Sequence, residues 1–465
     1  MMMFPILFTA GWGTRFWGVP ALIPKVSRTA RERKREARAG PTLEVMRFLT
    51  PFLFLLSFLS AAAQTSPFMV LHDLKEAETL GADLYTNSNA TGLVLVVVRG
   101  KQMYFHSYGE AVPGSNRAPS LDSEVRLCSL TKIFTTDLLA KFVADGKVRL
   151  DEPLKKFAPN GAVVPEKDGA ITLEDLATHT AGLEREIGAA PRHTPHFTYP
   201  NYDTRWNWLA SAQLKFTPGT QAYYSNVGFD LLSDALSAAS RMPYATLLQK
   251  RTLVPLGMWE TTFFPTPKQC EKLMTGAHGE GPCTITEDTE GSSGLYSTPA
   301  DMERFLKYLV GSSGTGQAEG ARRVYLLPSS LHGQYGLDHA GRPSGIGLGW
   351  MHLGGSDDVD HVIEKTGGGA GFTTYIAIHP ASHTALFVAM TEGSWRDRTP
   401  GFNLFKASNN GLLALAGLPP FPDRARRIVR PRHTARAATT LRAHSRVPAR
   451  RRRRGSRAQQ AVGGY

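Results

Sequence analysis

Apolar residues cluster in two places far apart along the chain. Thr91–Ala111, TGLVLVVVRGKQMYFHSYGEA, reads as two β-runs about an Arg99-Gly100-Lys101 turn. Phe372–Gly393, FTTYIAIHPASHTALFVAMTEG, repeats that pattern about Pro380-Ala381-Ser382, and FNLFKASNNGLLALAG (402–417) follows as a closing helix. Between these ends the apolar spacing is mostly helical, as in TLEDLATH, GFDLLSDALSAAS and TPADMERFLKYLV. Strands from both ends of a chain commonly meet in one sheet. The pattern therefore predicts an α+β fold: an antiparallel sheet drawn from both chain ends and flanked by helices, beside a mostly helical lobe. The chain shows no internal repeat.

One helix carries candidate chemistry. In LCSLTKIFTTDLLAKFVADG, Leu130, Phe134, Leu138 and Phe142 recur every four positions with Ile133 and Val143 beside them, and Asp145-Gly146 closes the run. That spacing lines one buried helix face. Ser129 stands at the helix start, where free N–H groups and the positive dipole end favour a developing oxyanion. Lys132 follows one turn along the same face, close enough to take the serine proton if burial depresses its pKa. Ser129 is the only serine with Lys at the third following position. The pattern is short, and a capping serine with a solvated lysine would produce it equally well.

Two further elements bear on that choice. Tyr224-Ser225-Asn226 precedes a helix, although Y-x-N recurs at Tyr85 and Tyr199. Lys365-Thr366-Gly367-Gly368 leads into a strand, and K-T-G occurs once. Its glycines let a substrate lie against the backbone, and its lysine suits a carboxylate. Acyl transfer from an amide or strained lactam needs a deprotonated hydroxyl, donors for the tetrahedral oxyanion, and a proton for the departing amine. None of this requires a metal or cofactor. The histidines lack H-E-x-x-H or Cys/His ligand spacing, and His179 reads as a turn residue. G-x-S-x-G is absent from the chain.

Taken in the order S-x-x-K, Y-x-N, K-T-G over roughly residues 68–418, the chain resembles the serine penicillin-recognising enzymes: class C β-lactamases, DD-peptidases and their esterase relatives. LEDLATHTAGL, FTPGTQAYYSN, LVPLGMWETTF, GLYSTPADMERF and GIGLGW support the likeness. LATHTAGLERE, PKQCEKLMTGAHGEGPC and IEKTGGGAGFTTYIAIHP look like the periplasmic D-alanyl-D-alanine carboxypeptidase/endopeptidase subgroup. The resemblance implies a β-lactamase/transpeptidase-like catalytic domain over 64–420. It makes Ser129 the acylated nucleophile, Lys132 its proton acceptor or electrostatic partner, and Tyr224 the proton relay to the leaving group. Asn226 would bond the substrate amide, and Lys365 and Thr366 would orient the substrate and its carboxylate. The N–H groups of Ser129 and Gly368 would form the oxyanion hole. Whether Lys132 or Tyr224 is the working base stays open. The implied substrates or inhibitors are peptidoglycan peptides and β-lactams. A class C-like β-lactamase or serine esterase on the same residues is the alternative. A catalytically idle envelope-binding protein has no need of all four of Ser129, Lys132, Tyr224 and Lys365.

Charge and the termini complete the sequence expectations. The net charge of +13 is terminal: residues 421–465 hold fourteen Arg against Asp423, residues 1–45 carry +5, and the body from 46 to 420 is −5. This distribution excludes a nucleic-acid-binding body. The tail is expected to be disordered and solvated, with an anionic envelope polymer as a possible contact. Met46–Ala63 has a basic start, a short apolar run and an Ala61-Ala62-Ala63 close, which reads as a secretory signal rather than a membrane span. Residues 1–45 would then lie upstream of a true start at Met46, and the mature protein would be periplasmic or secreted. With three cysteines, disulfides do not build this fold. Cys270 and Cys283 bracket a short loop and could bridge in an oxidising compartment, whereas Cys128 reads as a small buried apolar residue.

Overall fold

The two strand-rich ends meet directly. In the computed structural model β1 (Gly92–Arg99), β2 (Gln102–Gly109), β3 (Gly345–Ile346), β4 (Met351–Leu353), β5 (Val362–Gly369), β6 (Phe372–His379) and β7 (Thr384–Thr391) form one sheet. The order is β2-β1-β7-β6-β5-β4-β3, with every neighbour antiparallel. The seam between the chain ends is the β1–β7 ladder, running from Gly92↔Thr391 to Arg99↔Thr384. The structure describes residues 75–277, 281–311, 316–337, 339–354, 359–393 and 399–421, all within a unit that begins at Phe68. The expected signal segment, the residues before it and the arginine-rich tail beyond Phe421 lie outside the described residues.

Both faces of the sheet are covered, which explains the unbroken apolar run of β1. Val94, Val96 and Val98 join the larger core shared with the helical lobe, while Leu93, Leu95 and Val97 face a second core. α1 (Lys75–Ser88) and α5 (Leu404–Leu415) supply that second core. Fully buried aliphatic side chains of this kind each contribute about 1.5–3 kcal/mol. On the lobe side, α2 (Thr131–Ala144), α3 (Asn226–Ser240) and α4 (Pro299–Val310) carry the core, and α4 packs against β1 and β7.

Two local expectations need correction. α2 is not amphipathic: every residue from Thr131 to Phe142 is buried. Its polar members escaped a periodicity reading because each finds an internal partner. Asp137 pairs with Lys141 at 2.6 Å and accepts from Tyr308 at 2.8 Å, and Thr135 bonds the Gly291 carbonyl at 2.8 Å. The K-T-G-G run is also not a lead-in. It occupies the second half of β5, whose apolar start at Val362 is masked in the sequence by buried Glu364. Burial pushes the Glu364 carboxyl up to about 8, so it stays protonated at neutral pH beneath the sheet.

Cys270 and Cys283 are bridged, with Cα atoms 5.7 Å apart. Cys128 is free and buried, and burial raises its thiol to about 12, far from a reactive thiolate.

Candidate active site

Ser129 lies in a single 3₁₀ turn, Cys128–Leu130, that runs straight into α2. The expected position at the first turn of the α-helix is therefore displaced onto this tighter element. Cys128 carries the strain of the turn with φ +52, a conformation unfavourable for a residue with a side chain. The sheet holds it in place: Cys128 Sγ donates to the Gly369 carbonyl at 3.3 Å, and Thr374 Oγ1 donates to the Leu127 carbonyl at 2.9 Å.

Gly367 shows how closely β5 approaches this turn. A Cβ there would stand 2.2 Å from Thr374 Oγ1, 2.9 Å from the Leu127 carbonyl and 3.3 Å from the Ser129 amide nitrogen. Only glycine allows that approach. It brings the strand that carries Lys365, half-buried Thr366 and exposed Gly368 alongside the serine.

The three sequence-predicted catalytic side chains converge. Tyr224 Oη bonds Ser129 Oγ at 2.8 Å, and Lys132 Nζ is 3.5 Å from the same oxygen. Lys132 is wholly buried and donates to Asn226 Oδ1 at 2.6 Å and to the Ser292 carbonyl at 2.9 Å. Burial lowers its pKa to about 7, with the negative charges of Asp230 and Glu186 opposing the shift. Those two acceptors match the two N–H groups of a neutral amine, leaving its lone pair for Ser129. Lys365 is also buried and its pKa is lowered chiefly by that burial; Nζ donates to the Thr366 carbonyl at 3.1 Å.

Three basic side chains surround the Tyr224 ring: Lys132 Nζ at 4.9 Å from its centroid, Lys365 Nζ at 5.2 Å and Arg185 Cζ at 4.8 Å. They form a field that stabilises negative charge developing on the phenolic oxygen. His179 stacks on the ring at 4.4 Å, and its Nδ1 accepts from the Ser225 amide at 3.1 Å. Its φ of +63 makes it the turn residue the sequence suggested. Burial is the main cause that holds it neutral. Its ring therefore packs as a neutral surface against Tyr224.

Asn226, the first residue of α3 after the Ser225 cap, is engaged on both sides. Its Oδ1 accepts from Lys132 and its Nδ2 donates to Glu186 Oε1, which fixes the amide orientation. Arg185, Glu186, Asp230 and Ser292 were not singled out from sequence. The LERE loop is tied to the YSN element through Asn226 N to the Arg185 carbonyl at 3.0 Å and Ser225 Oγ to the Glu184 carbonyl at 2.6 Å. Asp230 falls four residues after Asn226 inside an apolar run. That spacing puts a carboxylate on the buried face of α3 and was the available signal.

A family model described as Beta-lactamase matches residues 78–403. The D-alanyl-D-alanine-carboxypeptidase/endopeptidase AmpH of Escherichia coli strain K12 is 43% identical over 333 residues, covering 71% of this chain and 85% of AmpH. A crystal structure of a β-lactamase/D-alanine carboxypeptidase from Yersinia pestis, complexed with citrate, matches with a TM-score of 0.70 and 38% identity, over 73% of this chain and 97% of that one. A class C β-lactamase from Rhodobacter sphaeroides shares the fold, at 22% identity and TM-score 0.56 over 73% of this chain and 99% of its own. With a buried lysine, a tyrosine and a K-T-G strand gathered around one serine, the chain belongs to the β-lactamase family and is a serine hydrolase of the β-lactamase/transpeptidase-like fold.

Proposed function

We propose that this protein is an exported D-alanyl-D-alanine carboxypeptidase/endopeptidase that cleaves peptidoglycan peptides through an acyl-enzyme on Ser129. The observation that carries the reading is the convergence of Lys132 and Tyr224 on Ser129 Oγ, at 3.5 and 2.8 Å. Likeness to AmpH over most of its length supports the substrate class.

The steps follow from the proton inventory. Neutral Lys132 takes the Ser129 proton as Oγ attacks the carbonyl between the two D-alanines. The amides of Ser129 and Gly368 receive the oxyanion, a role consistent with the packing of Gly367 against the Ser129 amide. Tyr224, bonded to Oγ, delivers a proton to the departing D-Ala amine and is reprotonated through Lys132. Water then attacks the ester, with the same pair working in reverse. Lys365 and Thr366 orient the terminal carboxylate, and Asn226 holds the substrate amide while keeping Lys132 in place.

Export is part of this reading. The Cys270–Cys283 bridge fits an oxidising compartment, and among the described residues no helix is long and apolar enough to cross a membrane.

The experiment pairs two substrates. The purified protein should release D-Ala from a muropeptide pentapeptide and form a long-lived adduct with a chromogenic cephalosporin after a burst. Fast steady cephalosporin turnover without D-Ala release would make it a β-lactamase instead.

A further inference from the structure

A cavity of about 220 Å³ adjoins the reactive centre through Asn226 and Ser292, the two residues that hold Lys132 Nζ. Its other lining residues include two aromatics, Phe197 and Tyr199, and two acids, Glu186 and Asp230. Glu186 is exposed, while Asp230 is only 1% exposed. Asp230 Oδ2 accepts from Ser292 Oγ at 3.1 Å, but Oδ1 is buried without a hydrogen-bond partner.

The nearby cations do not supply that partner. Arg205 gives Nε and Nη2 to Asp234 at 2.7 and 2.6 Å, and Nη1 to the carbonyls of Pro200 and Asp288. The close contacts of Lys132 go to Asn226 and Ser292. Arg185, across from Glu186 at 4.0 Å, lies toward the Tyr224 ring. A buried carboxylate oxygen left without a donor is destabilising. Burial also pushes Asp230 up to about 7, against the pull of Arg205 and Lys132, so an added cation would favour its ionised form.

We propose that this cavity receives a primary ammonium on an aliphatic side chain of the acyl donor, the residue preceding the D-Ala-D-Ala pair, with Glu186 and Asp230 as its anions and the Phe197 and Tyr199 rings along the aliphatic stem. The proposal rests on the reading of Ser129 as the nucleophile toward such peptides. An ammonium offers the donor that Asp230 Oδ1 lacks, and aromatic faces beside a cation add to its hold.

The test compares Nα-acetyl-Lys-D-Ala-D-Ala with its Nε-acetylated counterpart by kcat/KM for D-Ala release. The free amine should be preferred by about tenfold or more, the scale of one charge-assisted hydrogen bond. Glu186→Gln should reduce that ratio to about twofold. D-Ala release at equal rates from both peptides overturns the subsite and leaves the Ser129 reading standing. If neither peptide is cleaved, the proposed peptidase activity falls, and a second pair decides the subsite: penicillins whose acylamino chain ends in a primary amine, free or acetylated. Acylation about tenfold faster by the free amine supports the cavity as an ammonium site, and equal rates overturn it.

Discussion

Tyr224 Oη lies closer to Ser129 Oγ, at 2.8 Å, than Lys132 Nζ does at 3.5 Å, although the tyrosine comes from a helix entrance 95 residues further along the chain. Ser129 Oγ thus has one short bond to a phenol and one long approach from a buried amine. Removing only the phenolic oxygen separates their roles. Tyr224→Phe keeps the ring on His179 and should lower kcat/KM for D-Ala release by about 10²–10⁴-fold, the range for a general acid–base group. Near-wild-type release by a folded Phe variant would remove Tyr224 from the mechanism.

The pH profile reports Lys132. Burial lowers its pKa to about 7, so the fraction of neutral amine, and with it the acylation rate, should rise through neutral pH. Asp230 acts in the opposite direction by favouring the proton on the lysine. Asp230→Asn should therefore move the acidic limb of penicillin acylation to lower pH. The stability sign follows from the same shift. Between about 7 and the ordinary value of 10.5 the folded state binds fewer protons on Lys132 than the unfolded chain. This group's contribution to stability rises with pH across that window, and its cost is full below it. An acidic limb unmoved in Asp230→Asn would detach the carboxylate from the base.

Gly367 tests the contact between strand and turn. In Gly367→Ala the new methyl would meet Thr374 Oγ1 at 2.2 Å and the Leu127 carbonyl at 2.9 Å. The strand must move away from Ser129. Chemical denaturation should show a loss of about 1–3 kcal/mol, the usual cost of overpacking, together with a fall in penicillin acylation. Unchanged stability and acylation would contradict the tight approach.

The Cys270–Cys283 bridge closes a loop with a sequence separation of 13. Replacing both cysteines by serine should cost about 3 kcal/mol by loop entropy, seen as a lower melting temperature. A melting curve indistinguishable from that of the parent would mean that the bridge contributes little to the fold.

The sequence made the sheet legible where its logic is local. The β1–β2 hairpin, the β6–β7 hairpin and the closing helix each announce themselves through period and turn residues. Their meeting in one sheet followed from a general rule about chain ends. The first half of β5 was hidden because Glu364 is buried as a neutral acid, a state that composition does not reveal. The all-round burial of α2 was hidden for a related reason, since Asp137 and Lys141 satisfy each other internally. At the site, Ser129, Lys132, Tyr224 and Lys365 were readable from spacing and order. Glu186 and Asp230 were not, because their meaning depends on Asn226 turning toward Lys132 rather than only toward a substrate. Pairwise contacts between distant loops leave no periodic trace.

Ser129 Oγ is the atom predicted to be acylated. Intact-mass analysis after exposure to benzylpenicillin, followed by peptide mapping, addresses it most directly. The prediction is one penicilloyl adduct per chain on the peptide carrying Ser129, and none in a Ser129→Ala variant that melts close to the parent. An adduct that persists in that variant, or maps to another residue, would contradict it.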